Sequence, residues 1–134
     1  EVTEVKSRQT EEFQSLVTVT VAGGGQELSV SGTRFADGDS RIVRIDGYRV
    51  DAIPHGRMVV TRNADVPGVI GLIGTVMGEH DVNIAGMFNA RENLGGEAMT
   101  VYNVDDPVPQ AAIDRLLDDD RITEVRTITL DEEN

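Results

Sequence analysis

The stretch Thr61-Arg62-Asn63-Ala64-Asp65-Val66-Pro67-Gly68-Val69-Ile70-Gly71-Leu72-Ile73-Gly74-Thr75-Val76-Met77-Gly78 decides how the chain is read, because the apolar period changes inside it. Just before and into it, Met58-Val59-Val60-Thr61 has the β-branched run of a strand. After Pro67-Gly68 the apolar residues Val69, Leu72, Ile73, Val76 and Met77 recur at three- and four-residue spacing, which predicts a helix with one greasy face. At about 100° per residue, Gly71, Gly74 and Gly78 fall within about 60° of one another on the opposite arc. Working outward, Val82 to Arg91 alternates as a strand, Glu92 to Gly96 is a polar turn, and Ala98 to Val104 is the returning strand. Asp105-Asp106-Pro107 has the form of a helix start, with acid at the cap and Pro in the first turn. Ile113, Leu116 and Leu117 then supply an apolar stripe, Ile122 to Leu130 is a final strand, and Asp131 to Asn134 is a solvated tail. The order is βαββαβ, a ferredoxin-like α+β arrangement.

Upstream the chain reads as all β. Leu16 to Val21 alternates β-branched with polar residues, Gly23-Gly24-Gly25 turns, and Leu28 to Ser31 alternates again. A turn at Asp37-Gly38-Asp39 leads to Arg41 to Ile45, then Asp46-Gly47, a strong tight-turn signal, and Tyr48-Arg49-Val50. This predicts a short antiparallel β-meander. With few large apolar residues and no helix it buries too little to stand alone, so residues 1–56 are expected to be part of a larger domain, and a start at Glu1 without Met agrees. Charge supports a division at His55-Gly56-Arg57. Residues 1–56 carry 6 basic and 9 acidic groups, net −3, and residues 57–134 carry 6 and 15, net −9. Within the first part Arg34, Arg41, Arg44, Arg49 and Arg57 mark a locally cationic island over 34–57.

The whole chain of 134 residues has a net charge of −12, with 12 basic against 24 acidic side chains. Eleven of the basic residues are Arg, Lys6 is the sole lysine, and Asp outnumbers Glu by 13 to 11. An Asp-rich, lysine-poor surface is expected of a protein adapted to concentrated salt, where the screening length falls to about 3 Å and like charges hardly repel. The same balance argues against nucleic acid as a partner, since no broad basic face is available. Without cysteine there are no disulfides or thiolate sites, and two histidines, His55 and His80, make no convincing metal set. There is no apolar run of about 20 residues and no signal segment, which predicts a soluble, cytoplasmic protein without a membrane partner.

No catalytic constellation stands out. Gly23-Gly24-Gly25 lacks the spacing of a dinucleotide fingerprint and precedes a strand. Asp118-Asp119-Asp120 points three ways at a helix end and has no distal bidentate partner, so it reads as a solvated run. His55 and His80 have no local Ser or Asp arrangement that suggests a triad. The chain is therefore expected to be noncatalytic and to hold neither metal nor cofactor. The informative chemistry is at Asn63 to Ile70. Pro67 sets φ before the helix, whose N-terminus offers unpaired N–H groups and partial positive charge, and Asn63 and Asp65 stand beside it. Amide acceptors and a carboxylate for an ammonium, next to N–H donors for a carboxylate, suit an amino-acid zwitterion; alternatively Asp65 simply caps the helix. Three interior glycines, each costing roughly 1 kcal/mol against Ala, suggest that a ligand or another backbone comes close to that face. Asn83, after the helix, is placed to face the same crevice.

At these residues the sequence becomes recognisable. Residues 57–130 resemble an ACT domain, the ligand-sensing module of amino-acid metabolism. RIVRIDGYRVDAIPHG, then RNADVPGVIGLIGTVMGEHDVNIAGM and GGEAMTVYNVDDPVP, resemble the C-terminal end of the long-form D-3-phosphoglycerate dehydrogenase family. The resemblance implies that residues 1–56 are the latter part of an intervening allosteric substrate- or anion-binding domain, and that 57–134 are a regulatory ACT domain. It implies catalytic and NAD-binding domains on the same polypeptide, with NAD as the parent enzyme's cofactor. It further implies that L-serine binds between paired ACT domains as feedback inhibitor, with contacts falling on Asn63, Asp65, the Pro67, Gly68, Val69 and Ile70 turn, and Asn83. The family's anion-holding positions fall on Arg41 and Arg49; Tyr48 and Ile53 stand where some members carry Arg, a role Arg44 or Arg57 would take over. The regulatory region of an iron–sulfur L-serine dehydratase is similar to this architecture as well. An amino-acid-sensing transcription regulator is a third reading.

Overall fold

The computed structural model describes the backbone of residues 2–7, 16–23, 26–34, 40–91 and 95–130, and side chains within 29–34, 40–91 and 95–130. The expected turns at Gly24-Gly25 and Asp37-Gly38-Asp39, residues 92–94 of the polar turn, and the tail from Asp131 lie outside the described residues. The chain divides into two compact units, Glu1–Pro54 and His55–Asn134.

The first unit is an antiparallel meander of β1 (Val2–Ser7), β2 (Leu16–Gly23), β3 (Gln26–Arg34), β4 (Ser40–Ile45) and β5 (Tyr48–Ala52), paired in chain order. Strand β1 carries no strand signal of its own; six residues with two widely spaced valines become a strand through pairing with β2. Between β4 and β5 the turn residues Asp46 and Gly47 have φ of 48° and 87°. Positive φ at both centres matches the right-handed strand twist, which is why Asp-Gly occupies the site. The Asp46 side chain also accepts a 2.7 Å bond from the Ser29 amide, tying the turn to β3. Ile42, Val43, Ile45, Tyr48, Val50 and Ala52 are buried, and burial of the consecutive pair Ile42-Val43 coincides with a register shift before Arg44.

The second unit contains β6 (Arg57–Ala64), α1 (Val69–Glu79), β7 (Ile84–Arg91), β8 (Glu97–Val104), α2 (Gln110–Leu117) and β9 (Ile122–Thr129). Its sheet has the order β7-β8-β6-β9, all pairs antiparallel, which is the ferredoxin-like order of an ACT-type unit. One face carries both helices. Val59, Tyr102, Val104 and Ile122 pack there with Val69, Ile73, Val76 and Met77 of α1 and Ala112 and Leu116 of α2. Each such Val, Leu, Ile or Met contributes roughly 1.5–3 kcal/mol on full burial.

Three local expectations are corrected. Strand β6 runs on to Ala64, so Asn63 is a strand residue and not part of the loop. Helix α2 starts at Gln110 with Pro109 as its cap, three residues beyond Asp105-Asp106-Pro107. The two aspartates are engaged by Asn83 instead, and Pro109 holds Val108 in extended backbone. The buried stripe of α2 is Ala112 and Leu116, with Ile113 at its margin, while Leu117 is 45% exposed, because the helix begins later and its face is set by the sheet beneath.

Candidate functional site

Strand β6 ends where both of its neighbours let go. The Ala64 amide donates to the Arg121 carbonyl at 2.7 Å and the Asp65 amide to the Gly96 carbonyl at 2.8 Å, which fixes the backbone entering the turn. Val66-Pro67-Gly68 then reverses the chain into α1. Gly68 is the helix cap, with φ of 94°, and a Cβ there would come within 3.3 Å of the Arg121 guanidinium. Both constraints favour glycine. A glycine cap offers no side-chain acceptor, and there is no acidic residue in the first turn, so the helix start has no carboxylate of its own. Asp65 does not cap the helix.

Asp65 instead makes an ion pair. Its side chain is only 10% exposed; Arg91, at the end of β7, brings Nε to 3.1 Å from Oδ2 and Nη2 to 3.4 Å from Oδ1. Oδ2 is fully buried and accepts no well-directed hydrogen bond. The pair spans β8 at Ala98, whose small side chain lies between Asn63 on β6 and Arg91 on β7 in the strand register.

Asn63 is 2% exposed. Its Oδ1 faces the hydroxyls of Thr100 at 3.0 Å and Thr61 at 3.4 Å, and its Nδ2 donates to the Ala64 carbonyl at 3.0 Å. Thr100 also lies 2.9 Å from Asn89 Oδ1. One hydroxyl hydrogen cannot serve two carbonyl oxygens, so Asn89 satisfies this row best with its amide nitrogen toward Thr100. The result is a polar row under the helix start, running from β6 across β8 to the edge strand β7. Val69 is buried, while Pro67, Gly68 and Ile70 face outward, Ile70 at 41% exposure.

Asn83 is not in this crevice. The 11 residues of α1 carry the chain back about 16 Å, and Asn83 sits just before β7 at the end of the sheet where Arg57 pairs with Val104. Asp65 and Asn83 of one chain are therefore separated by a strand length, roughly 20 Å. The Asn83 amide donates to Asp105 at 2.7 Å.

The cationic residues distribute unevenly. Arg44 and Arg49 stand directly opposite each other on β4 and β5, both exposed, and Arg41 lies 3.4 Å from Asp51. Arg57 belongs to the second unit, as the first residue of β6. At the far side of the helix start, Asp119 grips Arg121 through two bonds of 2.8 Å, which hold its carboxyl down at about 2. Among the described residues no group of three or more His, Asp or Glu side chains is arranged to hold a metal, and no helix is long and apolar enough to cross a membrane. Arg91 and Arg121 were missed by sequence reasoning. Neither has a motif, and only the pairing of β7 and β9 with the strands between them brings either arginine to the site.

Residues 1–46 match the family model described as the D-3-phosphoglycerate dehydrogenase intervening domain. The chain is 34% identical over 129 residues to D-3-phosphoglycerate dehydrogenase of Archaeoglobus fulgidus, covering 95% of this chain and 24% of that protein. It is 31% identical over 118 residues to that of Bacillus subtilis, covering 88% and 22%. With the Methanocaldococcus jannaschii enzyme it shares 29% over 120 residues, covering 90% and 23%. The chain thus spans about a quarter of the length of these relatives.

Proposed function

The chain belongs with the C-terminal part of D-3-phosphoglycerate dehydrogenase, and from that premise we propose that its second unit is a regulatory ACT domain that binds L-serine as a feedback effector. One observation carries the reading: a carboxylate nine-tenths buried, Asp65, precedes a helix start whose glycine cap leaves its N–H groups to an outside acceptor. An α-amino acid presents an ammonium and a carboxylate a few ångströms apart, and the two halves of the site match them. The exposed Gly71 and the Pro67-Gly68 turn leave room for a small side chain. Asn83 enters from a second copy. Edge strand β7 and the glycine face of α1 are both exposed, and pairing of two copies about a twofold axis beside β7 would bring the Asn83 end of one sheet to the Asp65 end of the other. In this reading the parent polypeptide carries the NAD-dependent catalytic domains, and the unit from His55 onward senses the product of their pathway. For the first unit we propose a weaker anion contact at Arg44 and Arg49, supported by two like charges held face to face across a strand pair, with Arg41 at its margin.

Titration calorimetry of the full chain against L-serine, glycine, phenylalanine and 3-phosphoglycerate tests the reading. L-serine should give heat. Asp65→Ala and Asn83→Ala should each weaken it by roughly 10- to 150-fold, the loss of one hydrogen bond to a charged group. Heat with phenylalanine and none with serine would refute the effector. Undiminished serine binding in both variants would refute the site.

A further inference from the structure

The geometry points to Arg91 as a built-in competitor for the amino-acid site: its guanidinium occupies the ammonium position on Asp65, and a ligand enters by exchange with it. The inference rests on the amino-acid reading above and adds how that site is held when empty. Asp65 Oδ2 has no exposed surface, so an incoming ammonium reaches it only if a group now covering it leaves. The backbone on both sides is pinned by the Ala64–Arg121 and Asp65–Gly96 bonds, whereas the Arg91 side chain is 51% exposed. Arg91 is the part that can move.

The pair is also poorly matched. Nε lies at ion-pair distance from Oδ2, yet makes no directed hydrogen bond to it, and the second contact is long at 3.4 Å. A guanidinium projects its donors in a fixed plane, while an ammonium carries three donors that rotate as a set. The ammonium can therefore direct a bond at Oδ2 where the guanidinium fails to. Exchange replaces one ion pair by another, so the number of ion pairs is unchanged in the wild type. Without Arg91, binding creates a new pair.

Serine and ethanolamine, which keeps the ammonium and lacks the carboxylate, should be titrated into the wild-type chain and Arg91→Gln, in dilute and in molar KCl. Because the Arg91 end of the pair is half exposed and its contact to Oδ2 is poorly directed, an effect at the level of a surface pair is expected: about two- to fivefold tighter binding of both ligands to Arg91→Gln in dilute salt. Affinity in that variant should also fall more steeply with KCl than in the wild type. Serine binding to Arg91→Gln but not to the wild type would equally support the competitor. If serine binds the wild type and Arg91→Gln binds it equally or more weakly, the competitor role is wrong while the effector site stands. Binding to neither protein overturns both.

Discussion

At the scale of single residues, the candidate site separates into side chains that hold the protein together and side chains that the proposed function turns toward a ligand. Asn63 belongs to the first kind. Its side-chain amide accepts from two threonine hydroxyls and donates to the Ala64 carbonyl while almost fully buried. Asn63→Ala should therefore lower stability by about 1–3 kcal/mol, because it strands buried hydroxyls without their acceptor, and chemical denaturation reads this directly. A variant that unfolds as late as the wild type would assign Asn63 to ligand contact instead. Asp65 is of the second kind, and its burial was not legible from the motif that located it. Proximity to Pro67-Gly68 pointed to a cap, but the backbone reverses before the carboxylate can reach the helix N–H groups, and Arg91 captures it.

At the scale of elements, α1 has a buried arc and a bare one. Val69, Ile73, Val76 and Met77 are buried as their spacing requires, and Gly71, Gly74 and Gly78 have open space around the position of a Cβ. Nothing in the described chain demands glycine there, which agrees with a face kept clear for a second copy. Gly74→Ala should raise the stability of the isolated protomer by up to about 1 kcal/mol, while weakening the proposed self-association, which sedimentation measures. A gain in stability with association intact would remove the glycine face from the interface. The loop from α2 to β9 carries a second test. Arg121 holds the Asp119 carboxyl down at about 2, so the protonated form is disfavoured in the folded state. A lowered folded-state value means stabilisation that is present above the ordinary carboxylate range and is lost as pH falls from about 4 toward 2. Asp119→Asn should flatten that part of the acid-unfolding curve, by a small amount because solvent and salt screen the pair. A curve of unchanged slope between these pH values would remove the pair from the acid response.

At the scale of the whole molecule, charge dominates. With a net charge of −12 on 134 residues, repulsion opposes the compact state in dilute buffer and is relieved as ions screen it. The thermal midpoint should rise from dilute to molar KCl. An unchanged or lower midpoint would exclude salt adaptation. The surface ion pairs work against this trend locally, because Arg62–Glu124 and Arg115–Glu79 are weakened by the same screening. Relief of the overall acidic excess should outweigh them, since exposed pairs contribute only about 0–1 kcal/mol each.

What the sequence by itself determined is the alternation of elements and the identity of the turn. Period-two and 3.6-residue patterns, Asp46-Gly47 and Pro67-Gly68 are local signals, because they depend on backbone preferences that each residue carries with it. They place α1, the hairpin from β4 to β5, the βαββαβ order and the Asp65 turn. Tertiary structure alone decided the rest. Strand β1 exists by pairing, Asn83 takes up Asp105 and Asp106 so that α2 begins only after Pro109, and Arg91 meets Asp65 only because β8 holds β7 and the end of β6 in one register. Contacts between residues distant in sequence depend on which strands become neighbours, and that choice is made by burial of the whole apolar set and not by any residue in the pair.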